Sequence, residues 1–318
     1  MRKVMVAAAL VCAASVASAQ TPAAPQPDSS SPNYQAKGEQ EKSYVFPGTD
    51  EKIGYHIYVP MKWTKTTRLP LIVLTHGANQ PDTAAFQRPI KEPTLAKFAE
   101  ERGYIVAAVT GYHANATGVG GWNVPYPMLT VPRPPRPARE GAAAGQRPGG
   151  AAPGAGRGRG PAGPPPTEQD FKRAEQDILY VRELMLKEYN ADPNRVYLMG
   201  NSSGGSAVWN VGAKYPELWT AISPSAAPLK DDDFPYDKLK TLPVLVVHGD
   251  MDTTMQFDGS KAMVDHAKAK GVPVTWLPVP GGMHVDSWAL PEIMTQEFDF
   301  FDAHKTKAGA SRRSAARK

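Results

Sequence analysis

Cysteine is nearly absent: one residue, Cys12, occurs in a chain of 318. Cys12 falls in an N-terminal stretch read below as a leader. The body of the chain is therefore left without a thiol for a disulfide, a nucleophile or a thiolate metal site, and its stability has to come from an ordinary apolar core. Long apolar runs are missing as well. The N-terminal run Val4 to Val11 is far shorter than the ~20 apolar residues that cross a bilayer. No internal repeat is visible, and the basic segments lack the interleaved aromatics of a nucleic-acid surface, so no nucleic-acid partner is predicted.

What is present begins with Arg2 and Lys3, then the short apolar run, then Ala17-Ser18-Ala19. That is the order of a cleavable export signal, and it predicts a mature chain starting at Gln20, secreted or periplasmic, with no membrane anchor. Val11 before Cys12 is not the small residue a lipoprotein signal needs. The formal charge of +5 divides unevenly: the leader carries +2, residues 131–167 carry +5 and residues 305–318 carry +6, which leaves −8 on the body. The basic stretches read as solvated charge on unfolded chain. Pro132 to Pro166 is built almost wholly of Pro, Gly, Ala and Arg, too poor in large apolar groups to offset the entropy of ordering it. The predicted organisation is a leader over 1–19, a disordered segment over 20–42, one domain over 43–305 interrupted by a disordered insertion at 132–166, and a basic disordered tail over 306–318.

Strand and helix signals alternate across that insertion as one series. Leu71 to Thr75, Tyr104 to Thr110, Val196 to Met199 and Val244 to Val247 are short runs rich in branched residues, suited to parallel strands buried on both faces, and a further strand is predicted over Val274 to Val279. Ser43 to Pro47 and Tyr55 to Val59 alternate apolar and polar residues and predict an antiparallel pair at one edge. Helices are predicted over Leu95 to Glu101, around Ala174, Ile178, Val181 and Met185, and over Ser206 to Lys214, Lys261 to Lys270 and Pro291 to His304. The alternation implies an α/β class: a mostly parallel central sheet with helices on both faces.

Gly200-Asn201-Ser202-Ser203-Gly204 joins a predicted strand to a predicted helix. A serine on so sharp a turn is lifted above the sheet and sits at a helix N-terminus, and glycine two residues to either side avoids collision with the turn. Ser202 is the candidate nucleophile, and the Ser203 N–H a candidate oxyanion donor. A hydroxyl needs a base. Of seven histidines, His76 and His248 each close a strand as His-Gly and are expected to pack there. His284, in the loop after Val274 to Val279, is free to reach over the sheet edge. The acid is expected on the loop after Val244 to Val247, where Asp250 and Asp252 both stand; Asp252 is preferred, since Asp250 follows the strand directly and suits a turn-fixing role. A second oxyanion donor is expected at Ala78, in His76-Gly77-Ala78-Asn79. Trp122 and Trp288 are candidate walls of a substrate pocket, with simple core packing the commoner role for such residues.

Thr75-His76-Gly77-Ala78, Gly121-Trp122-Asn123, Asp192 to Tyr197, Gly200 to Gly205, His248-Gly249-Asp250-Met251-Asp252 and Gly281 to His284 together resemble secreted esterases related to polyhydroxybutyrate depolymerases and feruloyl esterases. They are also similar to prolyl-oligopeptidase-like carboxylesterases. The resemblance spans about Tyr44 to His304. It departs at Gly121, where that family often has cysteine, and at the Pro/Arg/Gly insertion. It implies an α/β-hydrolase fold, a Ser202-His284-Asp252 triad, no metal or other cofactor, and a small-molecule or polymeric ester as substrate. A peptidase and a catalytically silent binding module are the rival expectations.

Overall fold

A computed structural model describes residues 24–78, 94–111, 122, 124–132 and 167–305, with Ser287 and Trp288 described by backbone only. The predicted leader, the insertion beyond residue 132 and the basic tail lie outside the described residues. Eight strands form one sheet in the order β1-β2-β4-β3-β5-β6-β7-β8. They are β1 (Gly38–Val45), β2 (Lys52–Val59), β3 (Leu71–Thr75), β4 (Ile105–Val109), β5 (Val196–Asn201), β6 (Ala221–Ser225), β7 (Val244–Gly249) and β8 (Val274–Val279). β1 and β2 pair antiparallel, as does β2 with β4, whereas β4, β3, β5, β6, β7 and β8 all run parallel.

The alternation of side chains along a strand separates the core into two layers. Leu71, Val73, Val196 and Ile222 pack on one face with α2 (Glu168–Glu188), α3 (Ser203–Lys214) and α4 (Phe257–Ala269). Ile72, Leu74, Tyr197 and Ala221 pack on the other with α1 (Leu95–Arg102) and α6 (Pro291–Ala303). Burial on both faces is why β3, β4, β5 and β7 read as near-continuous apolar runs, whereas β8 at the edge is partly exposed. Helix ends follow local chemistry: Thr167 caps α2 reciprocally with Asp170, and Gly103, in the left-handed region, closes α1. Among the described residues no helix is long and apolar enough to cross a membrane.

Two expectations change. The predicted disordered segment over 20–42 overlaps β1, which begins at Gly38. Its polar residues gain partners distant in sequence: the Gln35 N–H donates to Glu188 at 2.9 Å, and Lys42 pairs with the same carboxylate. A half-exposed edge strand needs few apolar residues, so its signal was weak. β6 has no counterpart among the predicted strands. Pro224 lacks the N–H of a ladder donor and Ser223 and Ser225 dilute the apolar pattern, yet all five residues are buried.

Candidate active site

The C-terminal ends of the parallel strands share one edge of the sheet, and each candidate residue leaves from that edge. Ser202 follows β5 with φ 58° and ψ −125°. This is a left-handed backbone state that costs a non-glycine residue ~1–3 kcal/mol unless its surroundings impose it. They do so from three sides. The Ser202 N–H donates to Ser225 O at 2.9 Å, the Ser206 N–H donates to Ser202 O at 3.0 Å, and the Thr75 hydroxyl donates to Gly204 O at 2.9 Å. The flanking glycines serve a closer purpose than clearance of the turn itself. A β-carbon on Gly200 would stand 2.0 Å from Thr75 Oγ1, and one on Gly204 2.2 Å from Thr75 O. The serine turn is thus pressed onto the end of β3.

Asp252 and His284 meet although 32 residues separate them. The His284 Nδ1 lies 2.7 Å from Asp252 Oδ2, with the carboxylate buried and the imidazole partly exposed. Their loops are tied by backbone: the Met251 N–H donates to Gly282 O at 2.9 Å, and a β-carbon on Gly249 would stand 2.2 Å from that oxygen. Asp250 takes the turn-fixing role, accepting from the Gly281 N–H at 2.7 Å. It therefore holds the loop that carries His284.

Burial works to raise the Asp252 pKa, but hydrogen bonds from His248 and His284 and from the Met255 and Thr254 N–H groups outweigh it. They hold the carboxyl well below its ordinary 3.8. An ionised carboxylate facing Nδ1 requires the hydrogen there, so the neutral ring presents Nε2 as its acceptor.

Ser203 opens α3, where first-turn N–H groups have no acceptor within the helix. Ala78 stands exposed on the loop after β3. That loop is clamped from below: His76, fully buried, sets Nδ1 2.7 Å from Gly77 O and Nε2 2.7 Å from Thr110 O.

No protein-family model matches the chain. Solved structures do resemble it. A thermostable esterase superposes with a TM-score of 0.57 at 17% identity, over 84% of this chain and 63% of the esterase, so this chain spans just under two thirds of that protein's length. A ferulic acid esterase gives 0.55 at 15% identity, over 82% of this chain and 96% of the other. A putative dipeptidyl aminopeptidase IV from Bacteroides ovatus gives 0.53 at 11% identity, over 84% of this chain and 36% of the other. The chain has the α/β-hydrolase fold. Likeness at these identities speaks for architecture alone, since this fold carries many chemistries.

Within the α/β-hydrolase fold, the other predicted residues take different places. Trp122 is 6% exposed in the core, and its indole N–H donates to His76 O at 2.9 Å. It braces the Ala78 loop, because a buried indole needs an acceptor and the turn offers one. Trp288 lies in a short helix, α5 (Asp286–Ala289), with its side chain outside the described atoms.

His248 packs at a strand end as expected, yet it does more. Its Nε2 lies 2.9 Å from Asp252 Oδ2 and its Nδ1 2.7 Å from Ser260 Oγ. Sequence reasoning left this role out, along with that of Thr75. The only available signals were His four residues before the acid and Thr directly before His76-Gly77.

Proposed function

We propose that this chain is a serine hydrolase of carboxylic esters, with Ser202 as nucleophile, His284 as base and Asp252 as the acid that orients it. The observation that carries the reading is the 2.7 Å contact between His284 Nδ1 and a buried Asp252 carboxylate. That contact lies on the sheet edge where Ser202 is held in a strained turn. Ser202 attacks the ester carbonyl and passes its proton to His284 Nε2. The backbone N–H groups of Ser203 and Ala78 stabilise the oxyanion, and His284 then protonates the departing alcohol. Water, activated by the same imidazole, releases the acid and restores Ser202.

The ester preference is supported by an apolar rim. Met251 and Met283, each directly before a triad residue, are 59% and 43% exposed, which suits an apolar acyl or alcohol group better than a charged peptide terminus. Export to a secreted or periplasmic location, with cleavage before Gln20, belongs to the same proposal.

The test is labelling by a fluorophosphonate probe together with a panel of p-nitrophenyl esters, feruloyl methyl ester, a polyester film and peptide anilides. Labelling and ester cleavage that Ser202→Ala abolishes are expected. Cleavage of the anilides without any ester overturns the substrate class, and an unlabelled wild-type protein overturns the triad.

A further inference from the structure

We propose that His248 is a positioning residue that sets how strongly Asp252 attracts the His284 proton, with Ser260 holding His248 in the tautomer this requires. The inference rests on the triad reading above. A carboxylate has two oxygens, and among the described residues four donors meet those of Asp252. Oδ1 accepts from the Thr254 N–H at 2.7 Å and the Met255 N–H at 3.0 Å. Oδ2 faces two imidazoles at once, His284 Nδ1 at 2.7 Å and His248 Nε2 at 2.9 Å.

The two rings are unequal. His284 is partly exposed, whereas His248 is wholly buried on the face of β7 that meets α4. A carboxylate oxygen only accepts, so His248 Nε2 carries hydrogen, and in the neutral ring Nδ1 is left as acceptor. Ser260, from α4, supplies the hydroxyl that meets it at 2.7 Å, and the Phe257 ring stands edge-on at 5.7 Å. Among the described residues, the titratable groups bonded to Asp252 are His248 from β7 and His284 from the loop after β8. Asp250 and Asp286 stand on the same two loops, accepting from the Gly281 and Met283 N–H groups, and α4 meets His248 through Ser260 and Phe257.

This arrangement divides the Asp252 charge. A carboxylate that already accepts three hydrogen bonds draws a fourth proton donor less strongly. With His248 present, the pull of Asp252 on the His284 proton is weaker than that of an undivided carboxylate. Without His248, Oδ2 turns its full charge on His284, the imidazolium is favoured, and the base is lost on the acid side. Water does not substitute, because the side chains of His248 and Asp252 are closed to solvent.

The experiment uses the mature protein with His248→Leu, His248→Gln and Ser260→Ala. It reads kcat and KM for a soluble p-nitrophenyl ester from pH 5 to pH 9, counting folded sites by fluorophosphonate labelling. In His248→Leu the acid limb of kcat/KM is expected to move up by about half a pH unit or more. kcat at neutral pH is expected to fall by up to about threefold, the share of unprotonated base lost to a half-unit shift, with KM held within about twofold.

His248→Gln, which keeps an N–H at a similar reach, is expected to recover most of both. A labelled, folded His248→Leu with the wild-type limb overturns the proposal, as does Gln losing as much as Leu. If His248→Leu does not fold, Ser260→Ala decides: a smaller shift in the same direction supports the proposal, and an unmoved limb ends it. An unlabelled wild type defeats the triad reading instead, which is a separate result.

Discussion

Asp252 and Glu297 are both carboxylic acids taken out of water, and they reach opposite charge states. Asp252 sits at the open edge of the sheet, where four donors converge on its two oxygens. Glu297 sits on α6 beneath β6, fully buried; the Ser223 hydroxyl donates to one oxygen at 2.7 Å, and the other has no partner among the described residues. Burial pushes Glu297 up to about 8, against the opposing pull of Ser223 and Ser225, while Asp252 is driven the other way. Desolvation has the same sign at both sites. What differs is the number of N–H groups a chain can aim at one carboxylate, and loops supply more of them than a strand face packed on a helix.

The largest expected effect strikes the Asp252 side of that comparison. Asp252→Asn keeps the shape but removes the charge and invites the wrong His284 tautomer, so kcat is expected to fall by about 10⁴-fold with KM little changed. Steady-state kinetics on a p-nitrophenyl ester measure it, and a fall under about tenfold would show that the acid lies elsewhere. Stability follows the sign of the shift. A depressed folded pKa contributes stability above the ordinary 3.8 that is lost as pH falls. The variant is therefore expected to lose stability at neutral pH and to show a flatter acid limb in thermal melts.

Glu297→Gln tests the other side. The folded protein keeps this group protonated up to about 8, whereas the unfolded chain ionises near the ordinary 4.5. The unfolded state thus sheds its proton first, and the stability this group allows declines as pH climbs from 4.5 to 8 and stays low above. Glutamine does not titrate, so the variant is expected to gain a few kcal/mol relative to wild type on going from pH 5 to pH 9. Activity at pH 7 is expected to stay within a few-fold. Denaturant melts across that range read it, and parallel wild-type and variant curves would show that Glu297 is not held neutral.

The smallest effect is expected from Ser223→Ala. Removing that donor destabilises the fold by about 1 kcal/mol and moves the Glu297 transition above 8. An unchanged midpoint in the same melts would mean that burial alone sets it.

Much of this frame was legible in the residues. β3 and β8 have the predicted bounds, the edge pair of β1 and β2 is antiparallel, and helices cover both faces. The serine turn was legible because a strand, a glycine-flanked turn and a helix are contiguous. The part of Asp250 was legible because a residue directly after a strand is placed to fix the turn, as Asp250 does for Gly281.

The less legible features are pairings over distance. Thr75 reaches Gly204 across 129 positions and Ser223 reaches Glu297 across 74, and no local pattern marks either. The partner of Trp122 was hidden for the same reason. A tryptophan near a site has the same letter whether it lines a pocket or, as here, supports His76 from within the core.

By itself the sequence determined the order of the strands and helices apart from β6, the serine turn, and the loops that carry Asp252 and His284. Each of these depends on the conformational preferences and apolar periodicity of neighbouring residues. Only the tertiary structure decided that His248 shares the Asp252 carboxylate, that Trp122 braces a loop, and that Glu297 is buried under a serine-lined strand. Hydrogen bonds and desolvation depend on which groups face one another in space, and the sheet order that brings them together is set by the whole chain.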